Sequence, residues 1–170
     1  SANHAITFDD TDTDMQPDLV WIKNLDATDQ WCLFDSVRGA TEALHFEGTS
    51  GDATDNEDTD ADTLDSFASD GFQVDADDKV NTNTEDYAAW CWKESATAGF
   101  DIVNNVINDT DVENVSHNLS AVPHWIIGKS RTGGSYRWIC YHKDVGNDDA
   151  MYLNENFAET VNGDALLGFG

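Results

Sequence analysis

Apolar positions in this chain come in short runs divided by stretches of Asp, Asn, Thr and Gly. The main runs are Leu19–Ile22, Trp31–Phe34, Ala43–Phe46, Tyr87–Trp92, Phe100–Ile107, Trp125–Ile127, Trp138–Tyr141 and Met151–Leu153. They are rich in aromatic and β-branched types, which fit a pleated, half-buried surface. None sustains the i, i+3, i+4, i+7 stripe of an amphipathic helix. Tyr87–Trp92 comes nearest, but its bulky Trp90 and Trp92 suit one face of a strand at least as well. The pattern predicts an all-β fold, an antiparallel β-sandwich or jelly roll of lectin-like kind.

The runs also repeat. Pro17–Asn24 lines up with Pro123–Ser130 at an offset of 106. After a one-residue insertion the offset is 107, which sets Trp31 on Trp138, Phe34 on Tyr141, Gly39 on Gly146 and Ala43–Phe46 on Ala150–Leu153. A duplicated β-unit implies two halves on a common core, because one half cannot bury its apolar face alone. Trp31 and Trp138 are therefore expected at symmetric core places, with Trp21 and its counterpart Ile127 in the core as well. The chain reads as one domain over 1–170, with a first unit over 1–93 and a second over 100–170, incomplete at both ends. Phe100–Val103 reads as a strand leading into the second unit. Sheet edges left open by missing strands are expected to be covered by neighbours. Gly51–Asp65 has no large apolar residue before Leu64 and reads as a solvated loop.

Charge changes the picture of the environment. The chain has 170 residues, with Lys+Arg 8 and Asp+Glu 34, a formal net charge of −26. Such a chain repels itself at low ionic strength. At molar salt the Debye length falls to about 3 Å and the repulsion is screened. The composition therefore points to concentrated brine. A calcium-loaded extracellular module is the rival reading, and the spread of acid between apolar runs argues against a disordered tail. Nucleic acid is excluded as a partner, since binding it means neutralising phosphates. No apolar run approaches the roughly 18–20 residues of a membrane span.

Candidate chemistry is sparse. No apolar strand carries the alternating carboxylates that a strand-borne glycosidase pair needs. Asp58-x-Asp60-x-Asp62 and Asp10-x-Asp12-x-Asp14 have the spacing of loop ligands for calcium. The first has Thr63 and Ser69 where an EF-hand needs Gly and Glu, and the second fails the same test. No dedicated cofactor is expected beyond calcium or other cations at such acidic loops. The histidines, His4, His45, His117, His124 and His142, form no zinc-ligand pair. Cys32, Cys91 and Cys140 each sit inside an aromatic run and read as buried free thiols. Asn108, Asn114 and Asn118 head three glycosylation sequons, which are surface turns if used. Tyr136 beside Gly133-Gly134 is the clear loop aromatic, and with Arg131 and Arg137 it forms the expected surface-binding loop.

The strings PDLVWIKN (17–24), LFDSVRG (33–39), SFASDGF (66–72) and YAAWCWK (87–93), in this order, carry a resemblance. They resemble an uncharacterised domain that recurs in structural, often tail-fibre-like, proteins of tailed bacterial viruses, over about residues 17–160. The resemblance implies a lectin-like β-sandwich in a virion protein and supplies no catalytic residues. This chain departs from it in its acid content and its ends. Together with the acid it points to a virus of halophilic archaea. The expected role is a non-enzymatic virion structural or host-attachment module in a fibre, spike or capsid decoration, extracellular and in high salt. Its expected partners are copies of itself, other virion proteins, and a host surface glycan or surface-layer protein. The alternative is a secreted carbohydrate-binding module or glycan-active enzyme of a halophile.

Overall fold

Strands arise where those runs alternate. The computed structural model describes residues 3–9, 14–46, 57–105, 114–132, 137–145, 149–154 and 160–161. The strands there are β1 (His4–Thr7), β2 (Leu19–Asn24), β3 (Cys32–Asp35), β4 (Gly39–His45), β5 (Asp58–Thr59), β6 (Leu64–Ala68), β7 (Gly71–Val74), β8 (Tyr87–Trp92), β9 (Trp125–Gly128), β10 (Ile139–His142), β11 (Asp149–Tyr152) and β12 (Thr160–Val161). One helical turn, α1 (Asp78–Asn81), follows β7, its start capped by the Asp77 carboxylate, which accepts from the Lys79 N–H. Tyr87–Trp92 is a strand, as its alternation predicts.

Three antiparallel sheets result, ordered β5-β4-β3-β2-β8, β1-β7-β6 and β12-β11-β10-β9. The first two make the β-sandwich. On β2, Val20, Ile22 and Asn24 are buried while Leu19, Trp21 and Lys23 lie on the less covered face. The buried face adds Cys32 and Phe34 from β3 and Ala43 from β4, and packs on Leu64, Phe72, Val74 and Val80. At about 25 cal/mol for each Å² of apolar surface taken from water, this layer is the main driving force for the fold. Gly71 lets the small sheet close: its φ is +123°, and a Cβ there would strike the Ile6 carbonyl on the neighbouring β1.

Asn24 is fully buried and fully used. Its Nδ2 donates to Asp29 Oδ2 at 2.7 Å and Glu85 Oε2 at 2.6 Å, and its Oδ1 accepts the N–H groups of Asp26 and Ala27. It thereby fixes the end of β2 to the turn before β8, where leaving it unpaired would cost about 1–3 kcal/mol.

The repeat appears as topology. β9, β10, β11 and β12 follow β2, β3, β4 and β5 in order and partner. Leu19↔Asp35 returns as Trp125↔His142, Ile22↔Cys32 as Gly128↔Ile139, and Leu33↔Leu44 as Cys140↔Met151. Glu42↔Thr59 returns as Asp149↔Val161. The bond from Ser36 N–H to the Asp18 carbonyl, 2.8 Å, returns from Lys143 to His124 at 2.9 Å.

Burial does not repeat with it. Trp138 is 3% exposed, whereas Trp31 is only partly buried. Ile127 is 40% exposed, and Trp21 is also only partly buried. The symmetric core expected from the sequence is thus corrected. The first sheet has the β1-β7-β6 layer against it, and Trp138 from the second unit sits on its opposite face. Phe100–Val103 is also not a strand: Phe100 only bridges to Ser95, Val103 is exposed, and the Asp101 carboxylate turns aside to accept the Asn118 N–H. Of the expected solvated loop, 51–56 lies outside the described residues. Its later part is structured, with β5 paired to β4 and with Thr63 and Leu64 buried.

Candidate functional site

The face of the five-stranded sheet turned away from the sandwich core carries a row of rings. β2 contributes Trp21, β8 contributes Trp90 directly opposite it, and Trp31 and Phe46 stand at the ends of β3 and β4. Trp31 stacks on Trp90 with centroids 5.6 Å apart, and Trp21 lies 5.2 Å from Trp31 and 4.5 Å from Phe46. Phe46 in turn stacks on Trp138 at 4.0 Å with planes 8° apart. The Trp138 indole N–H donates to the His45 carbonyl at 2.9 Å. One end of the row is therefore sealed by the second unit.

The other end is open. Trp90 is 43% exposed and Trp92 39%. Trp90 and Trp92 stand on the outer face of the edge strand β8, each touched from one side by a ring, Trp31 and Phe100 respectively, and left open on the other. The indole N–H of Trp21 is sealed from solvent among these rings with no acceptor among the described residues. That rigid arrangement presents flat apolar area at little cost in side-chain freedom.

Beyond Trp92 lies a polar rim. Phe100 is 6.5 Å from Trp92, and Asp18 Oδ2 accepts the Glu94 N–H at 2.8 Å. Glu94 and Asp101 are hydrogen-bonded to each other, which holds the Glu94 carboxyl above its ordinary range. Burial works against the Asp101 carboxylate, but the Asn118 N–H, Glu94 and the Asn118 side chain hold it below its ordinary value. The two carboxyls lie beside the aromatic row, where their oxygens can accept hydrogen bonds from hydroxyl groups.

The residues expected to bind from loops are placed otherwise. Arg131 Nε donates to both Glu57 oxygens at 2.8 Å, and its Nη1 to Asn104 Oδ1 at 2.9 Å. Arg38, its side chain 4% exposed, donates to Glu57 Oε2 at 2.8 Å and to Asp35 Oδ2 at 2.5 Å. Burial alone would raise the Glu57 carboxyl, but the Arg131 and Arg38 hydrogen bonds and charges hold it below its usual range. Arg131 therefore ties the second unit to the first. Arg137 lies over the Tyr152 ring at 5.1 Å. Tyr136 and Asn108 lie outside the described residues, while Asn114 and Asn118 are exposed. Asp10 and Asp12 also lie outside them, and among the described residues no three His, Cys, Asp or Glu side chains come together as a metal site. Asp60 instead accepts the Asp62 N–H within its own turn. None of the three cysteines is in a disulfide; Cys32 and Cys140 are buried, and burial pushes the Cys91 thiol up to about 11. No helix among the described residues is long and apolar enough to cross a membrane.

Residues 3–167 match the model of a domain of unknown function, DUF7483, and the chain belongs to that family. No curated protein and no solved structure matches it.

Proposed function

We propose that this DUF7483 chain is a non-enzymatic attachment module of a virion, part of a fibre, spike or capsid decoration working in concentrated salt, and that it holds a surface glycan on the aromatic row. The exposed Trp90 and Trp92, with Trp90 braced by Trp31, carry the reading. A sugar ring lays its C–H face on an indole, and its hydroxyls reach the Glu94–Asp101 pair. The net charge of −26 favours neutral or cationic glycans over anionic ones. The virion setting rests on the sequence resemblance and the salt setting on the acid.

The adjacent Glu94 and Asp101 carboxyls give one observation to a second reading, a glycan-active enzyme. The two groups are in direct hydrogen-bond contact, whereas a retaining glycosidase needs about 5–5.5 Å between its carboxyls. That favours binding over hydrolysis. The test is retention of the full chain on immobilised neutral and cationic glycans in molar salt, with Trp90→Ala beside it. Retention lost in the variant, with no sugar released, supports the attachment reading. Sugar release abolished by Glu94→Gln would replace it with the enzyme.

A further inference from the structure

We infer that two copies of this chain join through β9, antiparallel across a twofold axis at Ile126, so that two four-stranded sheets become one of eight. The inference is independent of the glycan reading. It starts from the repeat. β2 is flanked by β3 and β8, and β9, its counterpart, is flanked by β10 and, among the described residues, by nothing on the side that β8 fills. The Lys143 N–H bonds the His124 carbonyl in register with the ladder between β9 and β10. Alternation then turns the backbone groups of Trp125 and Ile127 away from β10, toward the open side.

An edge of this kind is normally blunted by charge. β9 reads Trp-Ile-Ile-Gly, with Trp125 60% and Ile127 40% exposed. Asn114–Lys143, around it, contains no Asp or Glu, although the chain as a whole has 34 in 170 residues. In a chain of this charge, a stretch with no acid that carries Lys129, Arg131, Arg137 and Lys143 is where a copy is met with the least acid-to-acid repulsion. The open edge of β8 is the contrast: Glu85, Asp86 and Glu94 flank it with one cation, Lys93, and a twofold centred there would set Glu85 against Glu94.

The twofold fixes a register. With Ile126 on the axis, Trp125 of each copy stands opposite Ile127 of the other, and both outward-facing residues exchange backbone hydrogen bonds. The same register puts the exposed Trp and Ile side chains on one face as cross-strand neighbours. A closed, isologous dimer follows.

Two variants of the full chain test it. Trp125→Lys gives up a side-chain contact with Cys140 but leaves the sandwich core of the first unit untouched. It is expected to weaken self-association by about tenfold or more in sedimentation, since the charge is placed twice in one interface. Ile126→Cys, with Cys91→Ala to remove the partly exposed thiol, is expected to form a disulfide-linked dimer on oxidation. Opposed residues of a non-hydrogen-bonded pair have Cα atoms about 4.5 Å apart, within disulfide reach. Ala88→Cys on β8 should not cross-link. A monomer in both dilute buffer and molar salt would overturn the inference. So would cross-linking at residue 88 only, or Trp125 and Ile127 amides protected from exchange in a monomer.

Discussion

Trp138 and Trp31 hold one position in the repeat but not one environment, and the difference is what joins the two units. Trp138→Ala removes the stack on Phe46 and the bond to the His45 carbonyl. It should cost about 3–5 kcal/mol by denaturant titration, the range for large aromatic truncations in a core. Glu57 joins the units by charge. Its folded carboxyl lies below its ordinary value of 4.5, so the stability it contributes is present above that value and lost as pH falls through the folded one. Arg131→Ala should therefore destabilise at neutral pH and matter much less in acid, as thermal melts across that pH window would report. The Cys91 thiol, pushed up to about 11, should react slowly with alkylating agents near neutral pH, because the thiolate is the nucleophile. Arg131 is legible in the sequence only as a cation near two glycines. Its partner is 74 positions away, a distance no local pattern spans.

At the scale of elements, alternation in Leu19–Asn24 and Tyr87–Trp92 is enough to mark the strands. The shift in offset from 106 to 107 carries the register of β2 on β3 over to β9 on β10, and that of β3 on β4 over to β10 on β11, once the pairing of the first unit is known. The equivalence of β12 with β5 is not legible, since Thr160-Val161 shares no side-chain pattern with Asp58-Thr59. Nor is the open aromatic face. Alternation says which residues share a face of a sheet but not whether a second layer covers it, and Trp90 and Trp92 look like core until β8 is known to be an edge. Phe100–Val103 misleads for a related reason: an apolar composition suits a strand, but among the described residues no partner strand pairs with it. Gly71 lies hard against β1, with no room for a Cβ beside the Ile6 carbonyl. Gly71→Ala should separate β1 from β7 or cost several kcal/mol, since both φ and space are violated. Loss of exchange protection confined to His4–Thr7 and Gly71–Val74 would be its signature.

For the whole molecule, a formal net charge of −26 on 170 residues means that stability is expected to depend on salt. The melting temperature is expected to climb steeply from dilute buffer to molar NaCl or KCl as screening removes self-repulsion. A flat curve would end the brine reading, and full stabilisation by millimolar calcium alone would replace screening with specific sites. The molecule then divides its labour. The first unit is backed by a second layer and displays rings, and the second unit is joined to it through Trp138 and Arg131 and displays a strand edge. The claim that the rings hold a glycan is tested most directly by titrating neutral oligosaccharides into the full chain in molar salt and following tryptophan fluorescence. A saturable change, abolished by Trp90→Ala and retained by Trp125→Ala, is the result expected. No saturable change with any neutral or cationic glycan, or an equal response from the Trp90→Ala chain, would contradict it.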